Sequence, residues 1–265
     1  MSQRTRTGIC RLCLQLKELQ DSHLLPRGIY KVLRATHAGN PNPLVVTRES
    51  SRSTSKQLQD YLLCGDCEQR FNKMGETWML LHCYRQSGSF RLRELLYAAT
   101  PVLQNHGDLV YAAASIPGIS RDKLVYFGAS VFWRAAVHEW RMPTTSINIK
   151  TNLSSYEDKL RRFLLGELPF PQQMVMAVRV SGLTSLLETA MVPDQQVDAG
   201  FDIHQFMIPG VEFALLVGSS IPAEFRPLCT ASSPEGYVVV SRELDTQVVQ
   251  HLVGLGGMYT RSSRG

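Results

Sequence analysis

Two Cys-x2-Cys couples constrain this chain more than any other feature: Cys10-Arg-Leu-Cys13 and Cys64-Gly-Asp-Cys67. Together they offer four thiolates to one tetrahedral zinc ion, and a shared ion pins two segments about fifty residues apart to one point. A thioredoxin-type redox couple is the competing use of a single Cys-x2-Cys. Two couples in one module favour zinc, and in a reducing cytosol such spacing serves metal binding more often than disulfides. Cys83 and Cys229 stand alone and read as buried, inert thiols.

Charge singles out the same region. Residues 1–73 hold twelve Lys/Arg against six Asp/Glu, whereas the rest of the chain holds sixteen against seventeen. The basic excess therefore sits on the cysteine module, where a polyanion such as nucleic acid would dock; a solvated basic face is the plain alternative. Arg27, Lys31, Arg34, Arg48, Arg52, Lys56, Arg70 and Lys73 are the candidate phosphate contacts. No apolar run has the length of a membrane span, and the first residues lack a signal-like apolar core, so the expectation is a cytoplasmic protein without membrane contact.

The expected fold class is α+β. A zinc-bound ββα-like module would occupy 1–80, and 81–255 would form a helical middle followed by a small mixed or antiparallel sheet with helices. Residues 256–265 read as a flexible tail. Pro26 breaks any helix running through Ser22-His23-Leu24-Leu25, and Ile29 to Leu33 suits a short helix. Residues 39–56 form a long polar stretch whose break, Leu44-Val45-Val46, has strand character. Phe71, Met74, Trp78 and Leu81 recur at helical spacing between Glu68 and His82, with Gly75 weakening the middle. Phe90 to Ala99 reads as another helix. The longest helix is expected from Arg121 to Trp140, capped by Ser120, with His138 and His82 as structural histidines among aromatics. Ser154-Ser-Tyr-Glu157 matches a capping box ahead of a helix to Leu165. Strands are expected at 174–180, 201–208, 211–217 and 237–240, and a closing helix from Thr246 to Leu255.

If Cys64-Gly-Asp-Cys67 opens a helix, Glu68 and Asn72 are i and i+4 and share a face. A carboxylate and an amide at that spacing can hold a hard divalent cation. His23 belongs to the segment that the first couple would pin nearby. A neutral imidazole beside such a cation is suited to phosphodiester hydrolysis, the imidazole taking a proton from water.

Cys-x2-Cys, Ser22-His23-Leu-Leu-Pro26-Arg27 and Leu62-Leu63-Cys-x2-Cys-Glu68-x3-Asn72-Lys73 resemble the zinc-stapled HNH endonucleases of the His-Me finger (ββα-metal) group. The sequence is also similar to bacterial proteins of unknown function that carry Ser-His-Ile-Ile-Pro. The likeness covers residues 10–73, about a quarter of the chain. It implies structural zinc on Cys10, Cys13, Cys64 and Cys67, and His23 as general base. It further implies a catalytic Mg or Mn ion near Glu68, with Asn72 as a second ligand. Ser22 stands where many members have a metal-binding Asp. No Asn-Leu precedes Leu62; Gln59 and Asp60 stand there instead, leaving the residue that orients His23 open. Two functions follow from these residues: a metal-dependent HNH-like endonuclease, or a non-catalytic zinc-stabilised module that binds nucleic acid or a protein.

Overall fold

The structure is a computed structural model. It describes residues 6–34, 44–46, 51–53, 57–85, 87–105, 107–142, 148–182, 190–197, 200–227 and 229–241, with the backbone alone for 34, 44–46 and 51–53.

In chain order, β1 (Arg6–Ile9) leads through the turn containing Cys10 and Cys13 into β2 (Leu16–His23), then α1 (Arg27–Arg34). A short hairpin follows, β3 (Leu44–Val46) and β4 (Ser51–Ser53), and then β5 (Gln59–Cys64), α2 (Gly65–Phe71) and α3 (Thr77–His82). Next come α4 (Arg91–Tyr97), β6 (Leu103–Asn105), β7 (Asp108–Ala112), the long α5 (Arg121–Val137), β8 (Trp140–Arg141), β9 (Asn148–Ile149) and α6 (Glu157–Leu165). The chain closes with β10 (Met174–Ser181), β11 (Met191–Val197), β12 (Phe201–Ile208), β13 (Val211–Gly218) and β14 (Tyr237–Ser241).

These elements make a mixed α and β structure in layers. A three-stranded sheet, β1-β2-β5, carries the first cysteine couple at one end; a nine-stranded sheet runs β4-β3-β11-β12-β13-β10-β14-β7-β6. Between them lies α5. All thirteen residues from Leu124 to Ala136 are buried, the pattern of a helix covered on every side. Ser120 caps it by accepting from the Lys123 N–H at 3.4 Å. Toward the large sheet, Phe127 and Phe132 pack on Phe213 and Phe206, with ring centroids 5.4 and 4.9 Å apart. Toward the cysteine module, Trp133 and Tyr126 meet Phe71 edge-on.

The sheet is larger than the small C-terminal one expected from sequence. Its strands also come from β6 and β7 in the middle of the chain and from the β3–β4 hairpin inside the polar stretch 39–56. The strand character of Leu44–Val46 is borne out, but three residues carry too little alternation to show which sheet they join. The middle region is accordingly not purely helical. Among the described residues the buried apolar side chains form one cluster from Cys10 to Val240. The helix expected to Trp140 ends at Val137, since Trp140 already pairs as a strand. The segment expected as a closing helix, 246–255, and the tail, 256–265, lie outside the described residues.

One polar group in the core has a cost that can be measured. His204, on β12, is fully buried beside Phe132, and neither ring nitrogen has a hydrogen-bond partner among the described residues. Burial pushes its pKa down to about 4. In the unfolded chain the ring protonates near the ordinary value of about 6.5, so protons favour unfolding as pH falls from there toward 4. At pH 5 this single group costs about 2 kcal/mol. His204→Leu is expected to leave stability at pH 7 equal or higher and to flatten its decline toward pH 5, as read by urea unfolding at the two pH values.

Candidate functional site

The first couple sits in a tight turn. The Leu14 N–H donates to the Cys10 carbonyl and the Cys10 N–H to the Gln15 carbonyl, both at 2.9 Å, and Leu14 adopts the left-handed conformation at φ 59°. The second couple spans the end of β5 and the first turn of α2, so Cys64 and Cys67 project from a strand–helix junction. The four sulfurs lie within 4.8 Å of one another, and Cys13 and Cys64 are 3.9 Å apart. Zinc–sulfur bonds of about 2.3 Å in a tetrahedron require sulfurs about 3.8 Å apart, so the four residues fit one zinc ion. The Cys64 N–H also donates to the Cys10 sulfur at 3.3 Å. A hydrogen bond from the Cys67 thiol, helped by backbone N–H groups, holds the Cys10 thiol down at about 4. Cys67, the donor in that pair, is pushed the other way.

His23 is the last residue of β2, whose pairing with β5 is interrupted by a bulge in β5. The β2–β5 register runs Leu19↔Cys64, then shifts, then Asp21↔Tyr61, Ser22↔Asp60 and His23↔Gln59. The extra residue lies in β5, where Leu62 and Leu63 stand opposite Gln20; on β2, Ser22 is buried toward α2, and alternation puts Asp21 and His23 on the opposite face. Ser22 is fully buried; its hydroxyl donates to Glu68 in a short contact and accepts from the Leu63 N–H at 3.1 Å. His23 remains half-buried. Burial lowers its pKa against the pull of Asp21, and the charges of Arg27 and Arg134 lower it further, so the ring is neutral at pH 7.

The structure thus brings Glu68 to Ser22 but not to Asn72. Asn72 is exposed and its amide oxygen accepts from the Thr77 hydroxyl. Burial raises the Glu68 pKa, opposed by the Arg134 charge and the Ser22 hydrogen bond and reinforced by Glu76. Asp60 does not orient His23: it lies in the Ser22 row of the sheet, and its carboxylate meets His138 Nε2 at 3.0 Å. Among the described residues, the four cysteines are the one group of three or more Cys, His, Asp and Glu placed to share an ion. Of the candidate phosphate contacts, Arg27, Lys31, Arg70 and Lys73 are exposed; the side chains of Arg34 and Arg52, and all of Arg48 and Lys56, lie outside the described residues.

Sequence reasoning missed Arg134 and Glu76. Arg134 is the single charged residue among the thirteen buried in α5, and its guanidinium pairs with Glu76 in a short contact. It also donates to the carbonyls of His23 and Leu24 at 3.2 and 3.3 Å and lies 4.7 Å from the Phe71 ring centre. Between α2 and α3, residues Asn72–Glu76 form a π-helical turn. In a plain α-helix Glu68 and Glu76 would point roughly 80° apart; one extra residue in the turn brings them to nearly the same face. A charge inside an apolar helix was the available signal.

No protein-family model, curated protein or solved structure matches this chain. Among the described residues no helix is long and apolar enough to cross a membrane.

The cysteine geometry makes a direct prediction. The purified protein is expected to hold one zinc ion per chain, measured by elemental analysis. Cys64→Ala is expected to lose the metal and the fold of residues 6–82, read by circular dichroism. Zinc release should speed up as pH falls, because protons compete for the thiolates.

Proposed function

We propose that this protein is a metal-dependent HNH-like endonuclease that hydrolyses phosphodiester bonds of nucleic acid in the cytoplasm. In this reading β2, β5 and α2 form a ββα-like module stapled by structural zinc. The observation that carries it is the hydrogen bond between Ser22, the residue before His23, and Glu68. These are two positions that the resemblance assigns to metal ligands, next to the residue it assigns as general base.

The donor set suits a small hard cation, which commonly takes one or two carboxylates and keeps several waters. Glu68 and the Ser22 oxygen would hold Mg or Mn; Asn72 would join only by leaving Thr77. The cation would stabilise charge growing on the phosphate. The rest falls to the chain itself. His23, neutral at pH 7, accepts a proton from water at a ring nitrogen. Arg27, Lys31, Arg70 and Lys73 supply exposed positive charge for the backbone of the nucleic acid, joined by Arg34, Arg48, Arg52 and Lys56.

A second reading rests on the same contact. Glu68 already accepts from Ser22 and feels the positive charge of Arg134, and both oppose entry of a dication. A zinc-stabilised module that binds nucleic acid without cutting it would look the same.

Nicking of supercoiled plasmid in Mg or Mn separates the two. The nuclease reading expects His23→Ala to keep its fold and zinc and to lose about a hundredfold or more in rate. Wild type and His23→Ala equally inert in every metal would refute it. Salt-sensitive DNA binding that survives His23→Ala, without cleavage, would establish the second reading.

A further inference from the structure

We propose that Arg134 is the positioning residue of this site, holding the His23–Leu24 peptide and Glu76 in one buried fork so that the His23 side chain leaves β2 in a single direction. The consequence for cleavage rests on the nuclease reading; the placement rests on geometry alone.

The His23–Leu24 peptide is held at both polar ends. Its carbonyl, on His23, accepts from Arg134 Nη1 at 3.2 Å, and its N–H, on Leu24, donates to the Leu58 carbonyl at 2.9 Å. The same Nη1 reaches the Leu24 carbonyl at 3.3 Å. Strand pairing fixes the backbone before His23 through its partner Gln59. With the following peptide also fixed, the imidazole keeps only its two side-chain torsions. Without Arg134, the chain would leave the sheet at its last paired residue with a carbonyl buried and unmatched, a state that favours rearrangement.

The fork is itself held. The Arg134 side chain is 2% exposed, so its charge must be matched internally. Glu76 matches it, and the Phe71 ring covers a face. Glu76 reaches that point because Gly75 lets the π-helical turn press against α5: a Cβ there would stand 3.0 Å from the Phe127 backbone. Lysine carries the charge but not the planar fork, so it cannot serve two carbonyls from one nitrogen and a carboxylate from another.

The test uses the full chain with Arg134→Lys, Glu76→Gln, His23→Ala and the Arg134→Lys/His23→Ala double variant, each checked for zinc content and melting. Two readouts are taken: kcat and KM for Mn-dependent cleavage of an oligonucleotide duplex, and the rate at which diethyl pyrocarbonate modifies His23, mapped by mass spectrometry. Arg134→Lys is expected to lower kcat about tenfold or more with KM within about twofold, and to add nothing to His23→Ala. It is also expected to change the His23 modification rate about threefold or more while His82 and His138 keep theirs. An unchanged kcat, a loss in KM alone, or a further loss on top of His23→Ala would overturn the proposal. If wild type cuts nothing, the nuclease reading fails and the modification rate decides the placement alone: a wild-type rate at His23 overturns it. If Arg134→Lys does not fold, Glu76→Gln takes its place. It should shift both readouts in the same direction by about threefold, and wild-type values in both would overturn the proposal.

Discussion

A guanidinium buried between two sheets has to be answered by the protein, because water cannot reach it. Arg134 is answered by Glu76, two carbonyls and the Phe71 ring. Removing one partner of such a pair leaves an uncompensated charge, which costs about 3–5 kcal/mol. Those partners come from β2, from the turn between α2 and α3, and from α2 itself, so one side chain of α5 ties together every part of the cysteine module that bears on the candidate site. Van der Waals packing alone would tolerate some sliding of α5 across the module. A fork with fixed donor directions specifies a single register.

The zinc site and the Arg134 cluster do different work on the same segment. A zinc ion on the four cysteines would fix the start of β2 to the start of α2 at one end of the small sheet. Arg134 fixes the other end, where β2 stops. Between them, strand alternation puts Ser22 inside and His23 outside, so neighbouring residues play opposite parts: one touches the helix, the other turns away from it.

The sequence was readable where chemistry imposes fixed spacing. The cysteine couples, the Ser120 cap and the long apolar run of α5 all appeared as expected because thiolate geometry, capping and helical burial leave little freedom. It was unreadable where long-range pairing decides. Nothing local announces that Leu44–Val46 adds to β11, that a bulge falls near Gln20, or that Asp60 meets His138 rather than His23. The expected pairing of Glu68 with Asn72 assumed a regular helix. The helix is in fact regular as far as Asn72, whose N–H still donates to the Glu68 carbonyl; the difference lies in the side chain, since the Asn72 amide turns to Thr77 across the π-helical turn.

The β3–β4 hairpin has a consequence for how the molecule forms. It lies between Cys13 and Cys64, inside the loop between the two cysteine couples, yet it extends the edge of a sheet whose other strands arrive much later in the chain. β3 pairs in parallel with β11, about 145 residues downstream, a separation that makes contact formation slow. During synthesis the two cysteine couples emerge long before β11, so the hairpin between them at first has nothing to pair with. A cell making this protein therefore exposes an unpaired strand edge in the N-terminal segment, a natural point for chaperone capture or for pairing with the wrong chain.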